Sequence, residues 1–412
     1  MEANGAAAVV IATTLRREEQ PHAGRVNVLF LMIQVTGIGG SERLVLDLVR
    51  HLDRGRFAPS IGWLAGEEPH DEFRKLRVPL YHVPKRRRFD ASAMARLRQI
   101  VGEQRIDVIN AHHFMPFVYA AYAACTTRGV HLVYTEHSER DVLLVTGKWR
   151  ALGRLLLPSC GVVGVSDPVS DSLRRHFHLD PGRVSTIENG VDLARFTEAR
   201  PRRATIRRQL GIPADDVVFG QVANFKENKN HLFLLKAFHE LARRRSDVRL
   251  LLIGRGFPED LDDTEATITR FIREHDLGDR VHMLGYRSDV HELLAAMDAV
   301  CLVSDREGLP LSLVEAMASG IPVVGTRVEG ILSVVEPHVN GLLVEPNDVD
   351  GLTRALASLV NDTALRCRLG AAASRQARER YALARCIDQT QQLFLSGLDR
   401  PAVRLGSHAA VG

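Results

Sequence analysis

An excess of either charge is missing from this 412-residue sequence: 54 Lys and Arg stand against 50 Asp and Glu, a formal net charge of +4. A balance so near neutral gives no argument from composition for a nucleic-acid partner. Cysteine is scarce as well. The five cysteines (Cys125, Cys160, Cys301, Cys367 and Cys386) are odd in number, scattered and without a C-x-x-C pair. That argues against a disulfide framework or zinc site and fits a reducing compartment such as the cytoplasm. No apolar run reaches the ~18 residues of a membrane span. The early "AAAVVIA" follows Glu2 and no basic stretch, so a signal peptide is not expected. The dinucleotide fingerprint G-x-G-x-x-G is absent too. Gly37-x-Gly39 leads to Glu42, and Gly254-x-Gly256 leads to Glu259, where the third glycine belongs. A nicotinamide-dependent oxidoreductase is therefore disfavoured. The Asp pairs at 215–216 and 262–263 lie in polar, loop-like stretches without a third ligand at useful spacing, so no metal site is expected.

What is present is ordinary for a globular protein: 45% hydrophobic and 25% charged residues. The length suits two domains better than one core. "RVNVLFLMI" (25–33) is a nearly continuous apolar run, the mark of a parallel strand buried on both faces. A Gly-rich turn and a helix-spaced segment, "RLVLDLVRHL", follow it. "APSIGWL", "DVINA", "HLVYTEH" and "GVVGVS" repeat the pattern. After an Arg-rich passage (195–216) that reads as a linker, "VVFGQVANF", "VRLLLIG", "RVHMLGY", "AVCLVS", "PVVGT" and "GLLVE" resume it. Such alternation predicts an α/β fold of two Rossmann-like, doubly wound domains. The expected division is a loose leader (1–24), a first domain (25–195), a second domain (196–385), and a helix and tail (386–412). The last helical stretch, about 365–398, is long enough to reach back over the first domain.

The most informative stretch is "SDREGLPLSLVEAMASGIPVV" (304–324), which holds Glu307 and Glu315 with seven residues between them in a mostly neutral segment. Pro310 suits the first turn of a helix, and Gly320 with Pro322 ends it. The amides of Leu311 and Ser312 at its start then make an anion site beside Gly308 and Leu309. Glu315 falls roughly 7–8 Å further along at ~1.5 Å per residue. Either carboxylate would repel a phosphate placed against it. An anion held between them, with a hydroxylated ring on each side, fits a nucleotide sugar.

The string E-G-L-P-x-x-x-x-E-A-M-A-S-G-x-P-V-V resembles the signature of the retaining family 4 glycosyltransferases (glycosyl transferases group 1), of GT-B architecture. Further segments match in the same order, from about residue 26 to 395. They are "GGSERLVLDLVRHL" (39–52), "DVINAHH" (107–113), "VVGVSDPVSDSL" (162–173), "VSTIENGVDLARF" (184–196), "KNHLFLLKAF" (229–238), "VHMLGYRSDVHELLAAMDAVCLVS" (281–304) and "HVNGLLVEPND" (338–348). The resemblance implies two domains facing across a cleft, acceptor side first and donor side second. It also implies sugar transfer from a nucleoside-diphosphate sugar to a glycan or lipid-linked hydroxyl, without cofactor or required metal.

The resemblance assigns donor phosphates to Lys229 and the loop at Gly39 and Gly40, the ribose to Glu315 and the sugar to Glu307. It matches His112 to a sugar-contacting histidine and, less firmly, His137 to another family histidine. Two positions depart from the family. Asn224 stands where many members have Arg, so more of the phosphate charge falls to Lys229, to the helix start or to Lys226. Asn110 stands where the first His of an H-x-H pair belongs. Taken alone, Asn189–Asp192 reads as an interdomain turn. The basic pieces at 85–89 and 148–157 read either as solvated surface or as a face resting on the inner side of an anionic membrane. A non-catalytic sugar-nucleotide binder and a disaccharide phosphorylase or synthase stay open as alternatives.

Overall fold

The structure, a computed structural model, describes residues 24–256 and 263–398. Most of the expected leader and the C-terminal tail lie outside them. Among the described residues, thirteen strands form two parallel sheets. The first holds β1 (Val26–Met32), β2 (Phe57–Trp63), β3 (Leu80–His82), β4 (Val108–His112), β5 (His131–Glu136), β6 (Gly161–Gly164) and β7 (Val184–Thr186), in the order β3-β2-β1-β4-β5-β6-β7. The second holds β8 (Val217–Val222), β9 (Val248–Ile253), β10 (Val281–Met283), β11 (Ala299–Leu302), β12 (Val323–Thr326) and β13 (Gly341–Val344), in the order β10-β9-β8-β11-β12-β13.

The apolar runs explain the arrangement. Val28, Leu29, Phe30 and Leu31 are all fully buried, which requires helices on both faces of β1. In register, Val28–Met32 lie beside Pro59–Trp63 on one side, and Val28–Leu31 beside Val108–Ala111 on the other. The second sheet repeats the plan, with Ala299 and Val300 of β11 beside Phe219 and Gly220 of β8. In each sheet the strand order reverses beside the first strand, between β1 and β4 and between β8 and β11. Loops diverge there and leave a crevice at the carboxyl ends of the strands.

Two expectations need correction. The passage 195–216 is no linker. It folds into the helices Leu193–Glu198 and Arg203–Gln209, and Phe196, Ile206 and Ile212 enter the core of the second domain. Its arginines hold it there. Arg203 and Arg207 both reach Asp298, at 2.6 and 2.7 Å. The stretch 365–398 is likewise not one helix. It breaks after Thr363–Arg380, where Tyr381 is fully buried, and resumes as Leu383–Leu398. The second piece places Leu383, Cys386, Ile387 and Phe394 in the core of the first domain. The chain thus crosses between the domains twice, and the crossings lie side by side. Val191 donates to the Tyr381 carbonyl at 2.8 Å and Leu383 donates back to Val191 at 3.0 Å. Asn189–Asp192 belongs to this paired crossing, and a Cβ on Gly190 would come within 2.5 Å of Leu383 Cα. Among the described residues no helix is long and apolar enough to cross a membrane.

Candidate active site

The crevices of the two sheets meet in one cleft of about 670 Å³. From the first domain it is lined by Ile38–Ser41, after β1, by Arg43 and by His137, after β5. From the second come Val222–Asn224 after β8, Lys229, Tyr286–Ser288, and the run Glu307–Ser312 with Glu315. Gly39, Gly40, Asn224, Lys229, Glu307, Gly308, Leu309, Leu311, Ser312 and Glu315 therefore share one wall system although nearly 280 residues separate the first from the last.

Backbone hydrogen bonds and close contacts set the loops. Glu42 folds back so that its carboxylate accepts the Gly39 amide at 3.0 Å and the Ser41 hydroxyl at 3.0 Å. This closes the Gly-rich turn with the acidic half of a capping box and leaves Gly40 exposed at the helix start. On the opposite wall, Lys229 Nζ lies 2.6 Å from Glu307 Oε1, a half-buried ion pair. Gln221 donates to the Lys229 carbonyl at 2.9 Å and fixes that loop from below. Asn230 reaches Asp305 at 3.1 Å and ties the two loops together. Glycines are needed where backbones approach closely. A Cβ on Gly308 would come within 2.1 Å of the His137 carbonyl oxygen, and one on Gly330 within 2.3 Å of the Glu307 carbonyl oxygen.

Three placements differ from expectation. The helix runs Leu311–Ala318, and Pro310 precedes it at φ −77°, ψ 81°, the geometry of an inverse γ-turn. The Leu311 amide is consequently turned to the Leu309 carbonyl at 2.9 Å, and the free donor of the pair is Ser312. His112 does not reach the cleft. All of β4 is buried, and His112 is 0% exposed. Its Nε2 lies 3.1 Å from Asn110 Oδ1, and its Nδ1 lies 2.9 Å from His137 Nε2. Asn110 spends its amide donor on Thr135 at 2.8 Å, so its oxygen must accept from His112. His112 Nδ1 is then the acceptor, and His137 donates to it. The histidine facing the cleft is thus His137, and His112 stands behind it. Asn110, which replaces a family histidine, is what holds this order.

The third difference concerns metal ligands. His113, Glu136 and Asp141 offer ligand atoms within 4.8 Å of one another, a grouping that the sequence conceals by spreading it over the end of β4, the end of β5 and the helix Glu139–Leu143. They act as an ion pair. Glu136 is fully buried and also accepts Tyr134 Oη at 2.6 Å and the His137 amide at 2.8 Å. Burial by itself would lower the His113 pKa, but hydrogen bonds to Asp141 and Glu136 raise it to about 10. Burial first, and then the nearby His113 charge, push His112 down to about 3 and His137 well below its ordinary value, so both stay neutral.

Sequence reasoning passed over Arg43, Arg195 and Gly330. Arg43 lines the cleft and forms no ion pair among the described residues. It faces Glu315, as does Arg195. Only its place inside the quoted "GGSER" could have drawn attention to it. Burial pushes the Glu315 carboxyl up to about 7, against the pull of Arg43 and Arg195.

Two facing Rossmann-like domains, with a glycine-rich turn on one side and a Lys, a helix start and two carboxylates on the other, define a GT-B glycosyltransferase. Family models agree, domain by domain. Residues 38–195 match Glycosyltransferase Family 4, and residues 202–376 match Glycosyl transferases group 1. The chain belongs to this family and is a glycosyltransferase. It is 27% identical over 331 residues to the N-acetyl-α-D-glucosaminyl L-malate synthase of Bacillus anthracis, covering 79% of this chain and 84% of that one. It is 24% identical to the UDP-Gal:α-D-GlcNAc-diphosphoundecaprenol α-1,3-galactosyltransferase of Escherichia coli, over 67% of this chain and 72% of the relative. In fold it resembles Anabaena HepE in complex with UDP, with a TM-score of 0.77 at 22% identity, covering 90% of this chain and all of that one.

Proposed function

We propose that the protein moves a sugar from a nucleoside-diphosphate sugar to an acceptor hydroxyl, with retention at the anomeric carbon, in the building of a glycan or glycolipid. The observation that carries this reading is the Lys229–Glu307 pair at the start of the Leu311–Ala318 helix, opposite the Gly39–Gly40 turn. In this reading the first domain receives the acceptor and the second holds the donor. The diphosphate lies between the glycine turn and Ser312, where Lys229 and Arg43 neutralise it. Arg43 takes up the charge that Asn224 does not supply. Glu315 accepts hydrogen bonds from the ribose hydroxyls. Donor binding draws Lys229 from Glu307 to the phosphates and frees Glu307 to hold the sugar.

The reaction breaks the anomeric carbon–phosphate oxygen bond and forms a carbon–oxygen bond to the acceptor on the same face. The acceptor proton passes to the departing phosphate. No side chain is assigned as a covalent nucleophile. The cations and helix start stabilise charge growing on the leaving group. His137, neutral and with its one ring N–H donated to His112, keeps Nδ1 as an acceptor, which suits it to orient a sugar or acceptor hydroxyl. The relatives suggest the first substrates to try. The Escherichia coli protein is named for UDP-Gal and a diphosphoundecaprenol-linked acceptor, and the Anabaena structure holds UDP. A lipid-linked acceptor would bring the protein to a membrane surface, as a peripheral partner.

Anomeric NMR of the product from an α-linked UDP-sugar should give an α product. Glu315→Ala should raise the donor KM by about tenfold or more with a smaller change in kcat, and Glu307→Ala should lower kcat by about a hundredfold or more. A β product, or two variants with full activity, would refute the assignment.

A further inference from the structure

We propose that segments 85–90 and 143–155 form a single surface that docks on an anionic lipid bilayer; this builds on the reading of a lipid-linked acceptor. Eight large hydrophobic side chains are exposed among the described residues, and four of them lie here: Phe89 at 51%, Leu143 at 53%, and Leu144 and Leu155 at 61% each. The two segments are about 60 residues apart in sequence and meet through aromatic rings. Phe89 packs on Trp149 at 5.5 Å between centroids. The Arg88 guanidinium lies 5.4 Å from the Trp149 ring, and the Lys148 ammonium lies 5.7 Å from it.

The charges suit such a partner. Arg86, Arg87, Arg88 and Lys148 are all exposed. The one acid of the first segment, Asp90, is committed to backbone amides. Its carboxylate accepts the amides of Arg86, Ser92 and Ala93 and caps the helix Ala91–Glu103. Of the acids near the second segment, Asp141 is committed to His113. On the helix Gly147–Leu156, Lys148, Ala151 and Leu155 are exposed at spacing i, i+3, i+7, one stripe. Leucine and phenylalanine side chains that enter the acyl boundary while Arg and Lys meet headgroup phosphates give the two signals that reversible membrane binding needs. Three exposed leucines, Leu143, Leu144 and Leu155, stand against one exposed ring, Phe89, a balance that suits acyl chains better than the base stacking a nucleic acid uses.

Position adds the last argument. Segment 85–90 follows β3, and segment 143–155 follows β5 and the helix Glu139–Leu143. Both lie at the carboxyl edge of the parallel sheet, the edge that presents His137 to the cleft. A bilayer on this surface would bring a membrane-held hydroxyl to the mouth of the site.

The full chain should sediment with phosphatidylcholine vesicles that contain phosphatidylglycerol, and not with phosphatidylcholine alone. Added salt should weaken the binding. The triple variant Arg86→Ser, Arg87→Ser, Arg88→Ser should partition about a hundredfold less, at a cost of about fivefold per cation. Phe89→Ser with Leu155→Ser should also bind less, even at salt that removes most of the charge effect. Both variants should keep the thermal midpoint and its rise with UDP. That rise reports the transferase reading separately from the surface. Equal sedimentation of wild type and variants, or retention on DNA with none on vesicles, would overturn the proposal.

Discussion

Glu315 reaches the cleft from a helix whose other face, Leu313, Val314, Ala316 and Met317, is fully buried. Half-covered and short of hydrogen-bond partners, its carboxyl titrates near 7 in the free protein. Ribose hydroxyls donate to the ionised form, so protonation competes with the nucleotide. The sign follows. Nucleotide binding should release a proton, and affinity should fall as pH drops below about 7, toward a tenfold loss per unit. Calorimetry of UDP binding in buffers of different ionisation enthalpy would measure this, and Glu315→Gln should abolish it. The histidines show the limit of motif reading at this scale. Both His112 and His137 end strands where ligands bind, and the family pattern favours His112. Only the Asn110–His112–His137 chain of hydrogen bonds shows which ring meets the cleft.

At the scale of elements, apolar runs were enough to find β1, β2, β4, β5, β6 and all six strands of the second sheet. β3 lies between Pro79 and Pro84 and β7 holds Ser185 and Thr186, so neither writes an apolar run, whereas β10, equally short, lies in the run from Val281 to Leu284. The 195–216 segment misled for a different reason. Its arginines look solvated in sequence, yet Arg207 is 3% exposed and donates to the Ala296, Ala214 and Asp216 carbonyls as well as to Asp298. Asp298 also accepts the Val218 amide at 2.8 Å, which pins the segment to β8. Removing Asp298 strands a buried guanidinium. Asp298→Ala should therefore destabilise the fold by about 3–5 kcal/mol, read as a lower urea midpoint.

At the scale of the molecule, the closeness of the two domains decides whether the cleft is a site. Beside the Gly308–His137 contact, Glu139 of the first domain shares a hydrogen bond with Glu329 of the second, and this bond, with burial, lifts the Glu139 pKa to about 7. Arg175, 3.8 Å from Glu139, pulls the other way. A raised carboxyl pKa means that the contact holds below about 7 and is lost as pH rises through it and Glu139 ionises. Small-angle scattering of the unliganded protein should report a larger radius of gyration at pH 8 than at pH 6. Glu139→Gln should remove most of that change. An unchanged radius in wild type would show that the pair does not govern closure.

Periodicity and turn chemistry were sufficient for the two-domain α/β plan, because parallel strands buried on both faces write themselves as apolar runs. The glutamate-bearing motif was sufficient for the family and for most of the cleft's second wall, because its function depends on one continuous loop and helix. Tertiary structure decided the rest. Which histidine faces the ligand, which arginine lies free beside Glu315, how Glu136 traps a charged His113, and that Phe89 meets Trp149 are all contacts between distant segments. Local sequence carries no trace of such pairings. They arise when two sheets, each reversing its order beside its first strand, turn the same edge toward one another.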